Sequence, residues 1–218
     1  MIPKVIHYVW FGKSKKPGII KHCIKSWKKT MPDYEIKEWN EDNFDLDCNL
    51  YCRQAYDKKK YAFAADYARL WILYNCGGIY VETDCELFKP LDSFLNHEAF
   101  TCFESDTAIA LCTVGAEKGN PIIKHMLDYY EDREFLDPKQ PSGIDWTPNT
   151  VAMTKLLVKK GLVANNLYQK IEDLAVYPSI YFCSEGNGDN KYGTHYFTST
   201  WLPKNSKEKI IGIEESVK

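Results

Sequence analysis

The 218-residue sequence has no apolar stretch approaching the roughly 18–20 residues of a membrane-spanning helix, which argues against an integral membrane protein. It also has no excess of charge of either sign. Its 28 Lys+Arg against 30 Asp+Glu leave a formal charge of −2, too balanced for a chain that binds nucleic acid through its phosphates. The one basic run, Lys58-Lys59-Lys60, is short and reads as a solvated turn or helix start. No G-x-G-x-x-G follows the first apolar segment, so the usual dinucleotide site is not indicated. No Ser or Cys stands in a nucleophile elbow, which leaves serine and thiol hydrolase chemistry without support. Internal repeats, low-complexity tracts and Pro/Gly/Ser-rich linkers are missing as well, so a single domain over residues 1–218 is expected. The opening Met1-Ile2-Pro3-Lys4-Val5-Ile6 lacks the parts of a secretion signal, and a cytoplasmic chain with reduced thiols is the expectation.

Cysteine is not scarce. There are eight, and several stand in apolar runs where a free thiol packs as a small hydrophobe. Cys48 and Cys52, with Cys76 and Cys85 downstream, are the one grouping with any zinc-like spacing. The second gap contains Gly77-Gly78 and a strand, which is not a zinc-ribbon pattern. Aromatics are plentiful: 15 Tyr, 10 Phe and 6 Trp are more than a surface would carry, so most are expected in the core. A remainder on a rim would suit a sugar ring or a nucleobase.

Residues 5–11 form an apolar run closed by Gly12 and read as a buried strand. Pro17 opens a helix with Ile20, Cys23, Ile24 and Trp27 on one face, and residues 34–39 read as a second strand. Strand, helix and strand in about forty residues make a βαβ unit, hence an α/β fold with a parallel sheet. Residues 61–75 give the clearest helix, ended by Gly77-Gly78. Phe63, Tyr67, Leu70 and Tyr74 form its core stripe, while Ala62, Ala65, Asp66 and Arg69 occupy another face. Further on, residues 100–103, 108–114 and 174–177 read as strands, and 121–135 and 147–160 as helices.

After Gly77-Gly78 the segment Ile79-Tyr80-Val81 is core-like, and Glu82, Asp84 and Glu86 follow at period two. On a strand that spacing places three carboxylates on one face, which either solvent or a cation must screen. A strand that begins buried and ends acidic delivers its acids to the carboxyl end of a sheet, where open α/β sheets bind ligands. Carboxylates there suit Mg²⁺ or Mn²⁺ holding a diphosphate; a charged, protective edge strand is the bland alternative. Asp66 and Arg69, at i and i+3, are neighbours that either form a surface ion pair or converge on a pocket.

These residues resemble a known family. The block of residues 61–69, then Gly77-Gly78-Ile79-Tyr80-Val81-Glu82-Thr83-Asp84, is similar to the signature of the DXD sugar-binding glycosyltransferases of family 32. The opening residues 2–12, the spaced Trp27, Pro32, Tyr34 and Trp39, and the C-terminal residues 194–201 resemble further motifs of that family. The resemblance implies a GT-A type domain with a central, mostly parallel sheet flanked by helices. It implies a retaining, metal-dependent transfer of a sugar from a nucleotide-diphosphate donor, with a UDP-sugar favoured. The acceptor would be a glycan or lipid-linked glycan, in bacterial surface or capsular polysaccharide synthesis, and a lipid-linked acceptor would bring the chain to the inner face of the membrane.

Carried over by position, Val9 and Trp10 would flank the base, and Tyr80 would join the donor-binding set. Asp66, Arg69 and Glu82 would contact the donor, and Trp201 the glycosidic oxygen. Asp84 and His195 would bind Mn²⁺ or Mg²⁺, His195 also approaching the diphosphate, with Glu86 as an additional candidate. The main departure is Glu82, where the family has Asp; its extra methylene carries the carboxylate about 1.5 Å further. Acceptor choice is expected in residues 131–149 and 183–192, with the 186–190 loop ordering when donor binds. Two other classes stay open: a metal-dependent phosphodiesterase or nucleotidyltransferase using Glu82, Asp84 and Glu86 as a cluster, and a non-catalytic carbohydrate-binding module.

Overall fold

Alternation along the strands decides what each face of the sheet meets. In strand β1 (Val5–Val9), Ile6 and Tyr8 point to one side while Val9 points to the other; in β3 (Gly78–Val81), Ile79 and Val81 oppose Tyr80. Both sides are apolar, so the sheet must be covered on both. The structure, a computed structural model, describes residues 1–184 and 188–198. Helix α1 (Gly18–Thr30), with buried Ile20, Cys23 and Trp27, lies on the Ile6/Tyr8 side. Helices α2 (Leu50–Asp57) and α3 (Tyr61–Cys76) lie on the other.

The remaining elements are β2 (Glu35–Trp39), β4 (Cys85–Leu87), β5 (Ala99–Cys102), β6 (Thr113–Ala116), α4 (Pro121–Asp128), α5 (Asn149–Lys159), β7 (Gln169–Ile171), β8 (Leu174–Tyr177) and β9 (Gly193–His195). Seven strands join in the order β2-β1-β3-β6-β5-β8-β7, and β4 pairs with β9 in a small second sheet. The ladders β1–β2, β1–β3 and β5–β8 are parallel, whereas β3–β6, β5–β6 and β7–β8 are antiparallel. Five strands therefore run one way and only β6 and β7 reverse, giving the mostly parallel α/β sheet that the opening βαβ unit implies.

The turn between α3 and β3 needs its two glycines. Gly77 and Gly78 both hold left-handed φ values, +69° and +101°. A Cβ on Gly78 would stand 2.8 Å from His7 Nε2 and 2.9 Å from the Val5 carbonyl oxygen. His7 is buried, and burial lowers its pKa to about 4. Its Nδ1 accepts from Trp39 Nε1 at 3.1 Å, so Nε2 carries the proton and donates to the Gly77 carbonyl at 2.9 Å.

Several expected boundaries move. The three acids do not share a strand face: β3 stops at Val81, the Glu82 N–H bonds the Cys112 carbonyl, and the Cys85 N–H turns back to the Glu82 carbonyl. The 108–114 strand shifts to β6, Thr113–Ala116, with only an isolated bridge from Ile109 to Phe103 before it. The 121–135 helix ends at Asp128 because Tyr130 turns inward against Tyr51 and Tyr67, at ring distances of 4.9 and 5.8 Å. Helix α2 has no expected counterpart; its cap is Asn49, whose side chain accepts from Cys52 N at 3.1 Å. All eight cysteines are free, and the Cys48/Cys52/Cys76/Cys85 grouping disperses: Cys48 faces the Tyr67 hydroxyl, Cys52 the Ala64 carbonyl and Cys85 the Cys112 carbonyl.

Candidate functional site

The parallel strands β1 and β3 end side by side, and a cavity of about 780 Å³ opens beyond their carboxyl ends. That is where an open α/β sheet offers backbone and side-chain groups to a ligand. Val9 and Trp10 follow from β1, Glu82 and Asp84 from β3, and Ala62, Ala65, Asp66 and Arg69 from α3. His195 and Thr198 come from the C-terminal segment, and the first turn of α5 supplies Asn149 and Thr150. Lys15, Lys59 and Lys60 add positive charge to the lining.

Arg69 is the hub on the α3 side. It is 4% exposed, and its Nη2 lies 2.7 Å from Asp66 Oδ1 and 2.5 Å from Glu82 Oε1. Its Nη1 donates to the Leu111 carbonyl at 2.9 Å, and the guanidinium lies over the Tyr80 ring at 4.9 Å. Asp66 also accepts from Asn149 Nδ2 at 2.8 Å, which joins α3 to α5 across the cavity. Burial raises Asp66 to about 7 against the pull of Arg69, and burial raises Glu82 as well. One cation thus serves two carboxylates that dislike losing water.

Asp84 belongs to a separate group. Its Oδ1 lies 3.1 Å from His195 Nε2, while Oδ2 accepts from the Thr198 N–H at 2.9 Å and hydroxyl at 2.8 Å. Burial works against its charge, but His195 and Thr198 prevail and hold its pKa below the usual carboxylate value. His195 is correspondingly held protonated by Asp84 despite its own burial. An ionised oxygen donor at the wall of the cavity is the chemistry a hard divalent cation takes, so Asp84 fits that role. Glu82 spends its longer reach on Arg69.

The structure thus brings Val9, Trp10, Asp66, Arg69, Glu82, Asp84 and His195 to one cavity. Tyr80 lies beneath Arg69, fully buried and outside the lining. Glu86 faces away too, toward His22 Nε2 at 2.9 Å and the Tyr196 hydroxyl. Trp201 and part of the 186–190 loop lie outside the described residues. Sequence reasoning missed Glu104, which lines the cavity and is raised by burial to about 7. A lone acid in a turn has no periodicity to reveal it. Lys59 and Lys60, read as a solvated turn or helix start, also reach the lining.

Comparisons with known proteins find likeness over part of the chain. Residues 17–101 match the family model described as a glycosyltransferase sugar-binding region containing a DXD motif. The chain is 32% identical over 130 residues to inositol phosphoceramide mannosyltransferase 3 of Schizosaccharomyces pombe, covering 56% of this chain and 35% of that protein. It is 34% identical over 158 residues to an uncharacterised glycosyltransferase, L373, of Acanthamoeba polyphaga mimivirus, covering 66% of this chain and 60% of the relative. The chain therefore spans from about a third to three fifths of the length of these relatives. Among solved structures, the PaToxG glycosyltransferase superposes with a TM-score of 0.51 at 22% identity, over 72% of this chain and 70% of the other, a likeness of fold.

Proposed function

We propose, for a chain that carries over residues 17–101 the sugar-binding region of the DXD-motif glycosyltransferases and has their GT-A type fold, that it transfers a sugar from a nucleotide-diphosphate donor to a glycan or lipid-linked glycan. The observation carrying this reading is the single cavity at the strand ends. It holds an ionised Asp84, a buried Arg69 bridging the partly buried Asp66 and Glu82, and an aromatic rim at Trp10.

The chemistry asks for two things. Negative charge growing on the departing diphosphate must be neutralised, and an electron-poor anomeric carbon must be tolerated. A divalent cation on Asp84 would supply the first, as is general in DXD-type GT-A enzymes. The α5 N-terminus and Lys15, Lys59 and Lys60 add positive potential in the same cavity. Asp66, fixed by Arg69 and Asn149, presents a carboxylate to sugar hydroxyls, and Trp10 offers a face to the base. His195 and Thr198 hold the Asp84 carboxylate in one orientation. We favour a UDP-sugar donor, Mn²⁺ or Mg²⁺, retention at the anomeric carbon, and a cytoplasmic place in surface-polysaccharide synthesis.

The separation of the three acids argues against the phosphodiesterase alternative. Glu82 serves Arg69, Asp84 serves His195 and Glu86 serves His22, so they form no shared two-metal cluster. The deciding experiment is a thermal-shift panel of UDP, GDP and CMP, each with and without Mn²⁺, on wild type and Asp84→Asn. A ligand at about 100 times its Kd adds about 2.7 kcal/mol. A metal-dependent shift with one nucleotide, lost in Asp84→Asn, is expected; no shift with any nucleotide defeats the reading.

A further inference from the structure

Beside Asp84 and His195, at the wall of the cavity that Cys112 also lines, the structure gathers thiols from four separate segments. Cys102 ends β5, Cys112 precedes β6, Cys183 follows the turn at Ser179–Tyr181, and Cys85 opens β4. All four are at most 3% exposed. The Cys102 and Cys183 sulfurs are 3.6 Å apart and those of Cys112 and Cys183 3.3 Å apart. The ligand atoms of Cys102, Cys112 and Cys183 lie within 4.8 Å of one another, as do those of Cys85, Cys112 and His195. The β4–β9 register sets His195 directly across from Cys85. Its Nε2 faces Asp84, while its Nδ1 is buried without a hydrogen-bond partner.

We propose that Cys102, Cys112 and Cys183 form a zinc site, and that Nδ1 of His195, which the structure groups with Cys112 but not with all three sulfurs, moves in to complete it. Three thiolates and an imidazole are the donor set of a closed tetrahedral structural zinc centre. With Zn–S bonds of about 2.3 Å, such a tetrahedron has sulfur–sulfur edges of about 3.8 Å. The observed 3.3 and 3.6 Å need only a few tenths of an ångström of widening. A carboxylate on the other ring nitrogen is the usual support of a zinc-bound histidine, because it fixes the ring and the tautomer. Asp84 occupies that position. On binding, the three thiols and the Nδ1 of His195 each release a proton to solvent, and the neutral ring keeps Nε2–H donated to Asp84. The site is soft, buried and sulfur-rich, unlike the hard oxygen site at the cavity wall, and it does not depend on the sugar-transfer reading. Its structural effect is to tie β5, the start of β6, the 183 turn and β9 to one point. That fixes the ring against which Asp84 rests.

The test is the zinc content of full-length protein, purified without chelator and measured by mass spectrometry of the metal, in wild type, Cys48→Ala and Cys183→Ala. Stoichiometric zinc in wild type and Cys48→Ala, with at least a tenfold loss in Cys183→Ala, is expected. Because Cys183→Ala could fail by unfolding, the wild-type apoprotein is also titrated with Co²⁺. Intense visible absorption of tetrahedral cobalt with a thiolate charge-transfer band in the near ultraviolet is expected. Wild type free of zinc and without that cobalt spectrum, or a Cys183→Ala variant that retains its zinc, overturns the proposal. So does a native disulfide between Cys112 and Cys183, seen as a linked peptide pair lighter by two hydrogens.

Discussion

Arg69, itself buried, neutralises the partly buried Asp66 and Glu82 at once. Replacing it by leucine strands two carboxylates; breaking a fully buried pair costs about 3–5 kcal/mol, and the partial exposure of both acids brings the expected cost toward the lower end. Without the guanidinium, both acids favour their protonated forms when folded, so the folded chain binds more protons than the unfolded one. Stability of Arg69→Leu should therefore fall as pH rises, with a smaller deficit against wild type at about pH 5 than at about pH 8 in urea melts. His7 behaves oppositely. Its folded pKa, about 4, is below its unfolded value, so its contribution is present above about pH 6.5 and lost as pH falls through about 4. That loss amounts to about 3 kcal/mol. His7→Gln should flatten the acid side of the stability profile by this amount, and an unchanged slope would show that another group governs it.

Helix α3 delivers the site by splitting its faces. Phe63 and Leu70 anchor it in the core, while Asp66 and Arg69 look into the cavity. Its exit is fixed by Gly78, where alanine would meet both a left-handed φ and backbone at 2.9 Å. Gly78→Ala should cost about 2–4 kcal/mol, read as a lower urea midpoint at unchanged m-value. This helix and β1 were legible in the sequence because each is long or apolar enough to impose a period. The three-residue strands β4, β7 and β9 are too short for that, and α2 announces itself only by the Asn49 cap. The acidic period after Val81 misled for a physical reason: a turn closed by the Cys85 N–H on the Glu82 carbonyl breaks the strand there, so Glu86 falls in a different sheet, β4 against β9. Of the site, the Asp66–Arg69 pair was visible as a helical neighbour relation. The Asn149–Asp66 bond, across 83 residues of chain, was not.

Across the whole molecule, charge is nearly balanced, yet the cavity collects Lys15, Lys59 and Lys60. If the ligand is a nucleotide diphosphate, its affinity should fall as salt rises, because partly exposed charges are screened over about 10 Å at 0.1 M. Lys59→Ala and Lys60→Ala should each weaken UDP binding by roughly two- to fivefold at low salt and by less at high salt, as calorimetric titration would show. Equal affinity at both salt concentrations would place the diphosphate elsewhere.

The bond from Asn149 to Asp66 has a consequence for how such a protein can diversify. Residues 131–149 are where variation in the acceptor is expected to be accommodated, yet their last member braces the carboxylate proposed to meet the donor sugar. Insertions in that segment move the brace along with the acceptor surface. If residues 131–149 do meet the acceptor and Asp66 the donor sugar, the two specificities are geared together, and a new acceptor requires Asn149 to be held in place or the donor choice to change.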